Sequence, residues 1–157
     1  MFYGSVPAEA QAIMNKIVKA WDVTDIYVGC SGNFTLETFI GPLGKFRLHS
    51  NDVTMYSQCL AAHFLREHVP LELSEEGEAQ FPWLQDYMKT DVDRIATMLL
   101  CSRIVAYTDK GDNPYYKMML EESIRQFPAM HEKTVQKVSA NTLTISSYYN
   151  ADAMDFV

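Results

Sequence analysis

Gly29-Cys30-Ser31-Gly32-Asn33 follows the apolar run Ile26-Tyr27-Val28 and precedes the helix-compatible stretch Thr35 to Ile40. Two glycines in such a turn let a backbone approach a ligand with no Cβ in the way, and a helix opening behind them directs free N–H groups at the same place. This suits a nucleotide-like cofactor; a tight strand-to-helix turn that binds nothing has the same composition. Asn51-Asp52 adds to the signal. Asp52 lies 20 positions beyond Gly32, and in doubly wound sheets an acidic residue at about that spacing, at the C-terminal end of the next strand, accepts hydrogen bonds from ribose hydroxyls. Asn51 or Asp52 also suits the cap of a helix beginning near Val53, and the two roles are compatible. Asp152, after a third strand candidate, stands where such folds hold an adenine amino group, with a cap for residues 153–157 as its other reading.

The remaining polar residues suggest less. His131-Glu132 lacks the second histidine of a metalloprotease helix and reads as a solvated helix face. His63 and His68 are five apart and share a helix face poorly, so no metal site is expected. Cys30 within the turn reads as a small packed residue, with a thiol activated by a helix N-terminus as the alternative. No Ser-His-Asp or Cys-His arrangement follows from spacing alone. Phe81, Trp83 and Tyr87, with Met118-Met119, read as core or packing surface.

Periodicity supplies the elements that must hold these groups. After Pro7, Ala10, Ile13, Met14, Ile17, Val18 and Trp21 form one apolar stripe, an amphipathic first helix. Residues 25–29 read as a short strand buried on both faces. Residues 35–40 form a helix ended by Gly41-Pro42, and residues 45–50, with Phe46 and Leu48 alternating with polar neighbours, form a second strand. Strand, turn, helix and strand make a βαβ unit. Helical spacing returns over residues 53–68; residues 71–80 read as an acidic loop; residues 90–107 form a long helix with Asp91 and Asp93 in its first turn. Two further helices are expected over 114–126 and 128–138, each opening on a proline, and residues 142–149 are β-rich.

The chain has 157 residues, 48% of them hydrophobic, enough for one domain with a real core. Thirteen basic against 20 acidic residues give a formal charge of −7, which opposes sequence-independent binding to nucleic acid over most of the surface. Cys30, Cys59 and Cys101 form no CxxC pair, so neither a disulfide framework nor a zinc site is indicated, and a reducing cytoplasm is expected. No apolar run approaches the roughly 18 residues of a membrane span, and the N-terminus lacks the pattern of a signal peptide.

Taken together, GCSGN after a strand, HSND at the next strand's end, QFPAMHEKTVQKV and YYNADAMDFV resemble the N-terminal part of the antirestriction adenine methyltransferases of phages and mobile elements, over almost the whole chain. The resemblance implies a class I, S-adenosylmethionine-dependent, adenine-N6 DNA methyltransferase-like protein. Its expected fold is α/β: a partial Rossmann-like sheet of about three strands in one domain, with a helical insertion over about 53–140. It further implies that Gly29, Cys30, Ser31, Gly32 and Asn33 hold the methionine part of the cofactor, that Asp52, beside Asn51, takes the ribose, and that Asp152 takes the adenine.

One departure matters. Amino-methyltransferases of this kind stack the flipped base on a [DNS]PP[YF] loop, and the sequence contains no Pro-Pro pair. Asn113-Pro114-Tyr115-Tyr116 falls before the third strand candidate and reads as a helix start. The chain is therefore expected to stop before the catalytic loop, to carry no catalytic residues, and to be inactive alone. In the family's sheet the first strand is flanked by the second and fourth, so here residues 26–28 should lie at an open edge. A homodimer contact, a covering helix or a host defence protein would meet that edge; DNA would bind only if a second half completed the enzyme. Two functions follow from the resemblance: a cofactor-binding, catalytically incomplete anti-defence module, or a non-enzymatic inhibitor of a host nuclease or defence complex of the anti-restriction or anti-CRISPR type.

Overall fold

Three short strands, β1 (Asp25–Val28), β2 (Arg47–Asn51) and β3 (Ser147–Tyr149), pair in parallel in the order β1-β2-β3. This open parallel sheet is the centre of the first of two units in the computed structural model, which describes residues 7–108 and 112–156. The first unit comprises Met1–Glu67 and Thr142–Val157, and the second is His68–Asn141.

Strand alternation sorts the sheet into two unlike faces. Ile26, Val28, Leu48 and Ser50 are buried on one face. The other carries Asp25, Tyr27, Arg47, His49, Ser147 and Tyr149. Tyr27 is 61% exposed, which corrects the expectation that the first strand is buried on both sides. Within the described residues β1 is an edge strand, as the topology of the resemblance required.

The covered face packs on α2 (Thr35–Ile40) and α3 (Met55–Leu65). Phe34 and Phe64, both fully buried, meet edge to face at 5.1 Å between ring centroids; removing one such side chain from water contributes about 1.5–3 kcal/mol. A 3₁₀ turn at Gly41–Leu43 ends α2 where Gly41-Pro42 breaks the pattern. Thr54 starts α3, its hydroxyl accepting from Ser57 N at 3.2 Å. Ahead of the sheet, α1 (Ala8–Lys19) buries Val18 and half-buries Met14, but leaves Ile13 and Ile17 outside at 61% and 51% exposure. The stripe read as one apolar face is thus split between an inner and an outer half. Leu143 and Ile145 are buried in an extended approach to β3, which begins only at Ser147, later than the β-rich composition suggested.

In the second unit the acidic stretch is partly helical: α4 (Glu75–Gln80) is capped by Ser74, whose hydroxyl accepts from Gly77 N at 3.1 Å. A 3₁₀ segment, Pro82–Tyr87, leads to α5 (Asp91–Thr108). Instead of two helices there is one, α6 (Pro114–Ser139), with Pro128 inside it. Pro128 is exposed, so its ring displaces nothing in the core, and the flanking turns carry the helix through. Asn113 caps α6, its Oδ1 accepting from Tyr115 N at 3.0 Å, so the Asn-Pro-Tyr-Tyr string is a helix start as read. Leu84, Leu100, Ile104 and Phe127 form this unit's core, with Trp83 and Tyr87 edge-on to Phe127. His131 is buried beside Phe127 and Tyr87, with Nε2 3.2 Å from Asp93 O; only Glu132 of that pair lies on the solvated face.

Candidate functional site

The glycine turn is held from below by its own serine. Ser31 N donates to Asn51 O at 2.8 Å, Ser31 Oγ donates to Val28 O at 3.2 Å, and Asn51 N donates to Ser31 Oγ at 3.3 Å. Cys30, Gly32 and Phe34 have φ of 55°, 52° and 55°, a left-handed conformation that glycine adopts freely and other residues adopt at a cost of about 1–2 kcal/mol each. Buried Phe34 offsets its share by packing against Phe64 and Tyr148. Cys30 and Asn33 are exposed at the turn.

Asp52 faces that turn. Its Oδ2 accepts from Gly32 N at 2.9 Å and its Oδ1 from Thr54 N at 2.8 Å. Ser57 Oγ closes the circuit by donating to Gly32 O at 2.8 Å, and the Tyr148 hydroxyl donates to Asp52 O at 2.7 Å. Partial desolvation pushes the Asp52 carboxyl up, but the hydrogen bonds from Thr54 and the Gly32 amide outweigh it and hold the group below the usual carboxylate range. Thr54, and not Asn51 or Asp52, is the cap of α3. A carboxylate aimed at a glycine turn is an acceptor beside backbone donors, the pattern that hydroxyl groups of a sugar satisfy.

Asn51 is committed elsewhere. Fully buried, it donates from Nδ2 to Tyr149 O at 3.0 Å and to Ala151 O at 2.7 Å, tying β2 to the chain leaving β3, while its Oδ1 is buried without a partner. Asp152 caps the 3₁₀ turn Ala153–Asp155 through Oδ1, which accepts from Met154 N at 2.9 Å, so the capping reading holds. Its side chain is exposed. A Cβ built on Gly29 would lie 3.9 Å from Ala153 Cβ, which places the first turn against the segment after β3. The C-terminal ends of all three strands therefore converge: Gly29, the Ser31–Gly32 bend, Asp52 and the Asn150–Ala153 loop share one end of the sheet. The Asp52 and Asp152 carboxylates are hydrogen-bond acceptors at that end.

Two groups were not singled out from sequence. Glu37 in α2 is wholly buried, its Oε1 accepting from Ser50 Oγ at 2.8 Å and its Oε2 without a partner. Desolvation raises its carboxyl, and the nearby Asp52 charge adds to that against the opposing hydrogen bonds. On the open sheet face, His49 lies between Asp25 Oδ1, 2.9 Å from Nε2, and Ser147 Oγ, 2.7 Å from Nδ1, and stacks on Tyr27 at 4.7 Å. Arg47 also pairs with Asp25, at 2.8 Å, and holds that carboxyl below its ordinary range. No sequence pattern marks either group, because one is assembled between α2 and β2 and the other across three strands. Among the described residues no cluster of three His, Cys, Asp or Glu side chains is placed to hold a metal ion, and no helix is long and apolar enough to cross a membrane.

No curated protein and no solved structure is significantly similar to the chain. Residues 2–157 match the family described as phage DNA adenine methylase-like domain 1. A turn-and-carboxylate site at the C-terminal end of a parallel sheet is thus found in a chain that belongs to the phage DNA adenine methylase-like domain 1 family.

Proposed function

We propose that this chain is the cofactor-binding module of a class I, Rossmann-like adenine-N6 DNA methyltransferase system, and that it holds S-adenosylmethionine at the C-terminal end of its sheet. The observation that carries this reading is the Asp52 carboxylate set 2.9 Å from Gly32 N, beside a bend with alternating left-handed residues. Asp52 accepts from the ribose while it keeps the Gly32 and Thr54 amides; Gly29 and Gly32 leave the backbone open to the methionine part; Asp152 receives the adenine amino group. Bound S-adenosylmethionine supplies an electrophilic methyl group. These 157 residues contain no Pro-Pro-aromatic loop to stack and hydrogen-bond a flipped adenine, so on this reading they bind and orient the cofactor without transferring methyl groups by themselves.

All-parallel sheets occur almost only with both faces covered. Here one face presents Tyr27 and Tyr149, and β1 presents an unpaired edge among the described residues. A second polypeptide, either another copy or a completing half that contributes the base-binding loop, fits there, and the assembled system modifies phage or mobile-element DNA against restriction in the host cytoplasm. The test is calorimetry with S-adenosylhomocysteine. Saturable binding that is lost in Asp52→Ala supports the reading, and absence of heat at millimolar ligand removes it.

The formal charge of −7 favours a second reading, in which the fold is kept as a non-enzymatic anti-defence protein that inhibits a host nuclease or defence complex. Inhibition of a restriction nuclease by both wild type and Asp52→Ala, with no ligand binding by either, would select it.

A further inference from the structure

Among the described residues Glu37 is the one buried carboxyl beneath the site, and nothing in the cofactor chemistry requires it. It sits in the first turn of α2, fully enclosed, with Ser50 Oγ donating to Oε1 at 2.8 Å. No donor reaches Oε2. Ser31, its other polar neighbour, has its hydroxyl 3.2 Å from Val28 O and accepts from Asn51 N; burial outweighs the support that the Ser31 and Ser50 hydroxyls and the Glu37 amide give the anion, and raises the carboxyl. An ionised carboxylate at this place would bring a full negative charge into the core beside the negative Asp52. A protonated carboxyl has a hydrogen to offer Ser31 and carries no charge to desolvate.

We propose that Glu37 is a positioning residue of the cofactor site: in its neutral form it fastens the Ser31–Gly32 bend to Ser50 at the end of β2, and its ionisation loosens that bend and weakens ligand binding. The inference rests on the function proposed above for its ligand arm, and on geometry alone for its conformational arm. Ser50 immediately precedes Asn51-Asp52, and Ser31 immediately precedes Gly32, so one side chain spans both halves of the site. The ionic neighbour of Glu37 near neutral pH is Asp52; Tyr148 of β3, beside Asp52, and Cys59 of α3, beside Tyr148, are both pushed up by burial and remain uncharged. Because burial raises the folded-state pKa of Glu37 above its unfolded value, the neutral form's contribution is whole below the ordinary glutamate range and is lost as pH rises through the raised value.

The experiment follows the backbone amides of Ser31 and Gly32 by NMR in the ligand-free protein, and S-adenosylhomocysteine affinity by calorimetry, from pH 5 to pH 9, in wild type, Glu37→Gln, Glu37→Ala and Ser50→Ala. Expected in wild type is a shared titration of both amides with a midpoint above the ordinary glutamate value, and a severalfold loss of affinity over the same interval. Glu37→Gln, neutral at every pH, should abolish the titration and hold affinity at its low-pH level. Glu37→Ala should bind more weakly at all pH values, and the glutamine variant should rescue it. Ser50→Ala, which removes a hydrogen bond that favours the anion, should move the midpoint upward; it also keeps the test open should a Glu37 variant fail to fold. Amides that do not titrate in wild type, or that titrate unchanged in Glu37→Gln, overturn the proposal whether or not ligand binds. Titrating amides without any ligand binding overturn the cofactor reading and leave Glu37 a pH-dependent clamp of the bend alone.

Discussion

Replacing Asp52 by Asn tests the central contact with the smallest change of shape. The side chain keeps its volume, but one oxygen that accepts from a backbone amide becomes an NH₂ group, and either Gly32 N, at 2.9 Å, or Thr54 N, at 2.8 Å, then faces a donor. A hydrogen bond to a charged group contributes about 1.5–3 kcal/mol. Asp52 is only half-buried, so solvent screens part of that, and a loss of about 1–2 kcal/mol is expected. Urea unfolding at pH 7 measures it. The pH dependence supplies the sign: the folded carboxyl titrates below its unfolded value, so its contribution is present above the ordinary aspartate range and is lost as pH falls through the depressed folded-state value. The gap between wild type and Asp52→Asn should therefore close on acidification. Equal stability at neutral pH, or a gap that persists in strong acid, would show that Asp52 does not hold the bend.

Gly32→Ala should cost about 1 kcal/mol from its positive φ alone, since the nearest atom to an added Cβ, Cys30 O, is 3.9 Å away. Gly29→Ala meets only Ala153 Cβ at 3.9 Å, without a positive φ, and should change stability by less than about 0.5 kcal/mol in the same urea experiment. Phe127→Ala should destabilise by about 3–5 kcal/mol in thermal unfolding, because Phe127 is buried against Trp83 and Tyr87 at 4.8 and 5.1 Å. Pro128→Ala should stabilise by about 1–3 kcal/mol, since it restores an amide inside an otherwise unbroken helix; no gain would mean that α6 is broken there after all.

The parts of the fold that local chemistry dictates were legible. The strand before the turn, the α2 segment and the end of β2 fall within a residue or two of where composition placed them. The Gly32 to Asp52 spacing put the carboxylate at the end of the strand beside the turn, where it accepts from Gly32 N, because a βαβ unit fixes how far along the chain the next strand end lies. Pro128 was misread because a proline pattern says where a helix can start, whereas the exposed position of this one lets the helix continue. The acidic stretch concealed α4 because its glutamates stand at a helix N-terminus behind a serine cap, where negative charge is favourable and apolar periodicity is not needed.

Tyr27 shows where sequence reasoning reaches a physical limit. Three consecutive β-favouring residues predict a strand covered on both faces, and in a parallel sheet that expectation is sound. The described chain covers one face with α2 and α3, while on the other Tyr27 stacks on His49 and meets Phe156 edge-on at 5.6 Å, and Tyr149 lies 5.2 Å from Phe156. The composition of β1 thus suits a more enclosed environment than its surroundings provide. On α1, Ile13 and Ile17 repeat the mismatch, apolar residues at helical spacing that the first unit does not bury. Burial records the contacts within the described chain, whereas composition records every contact under which the sequence was selected. On β1 and α1 of the first unit the two disagree, and the apolar side chains left exposed there are what the second polypeptide proposed above would cover.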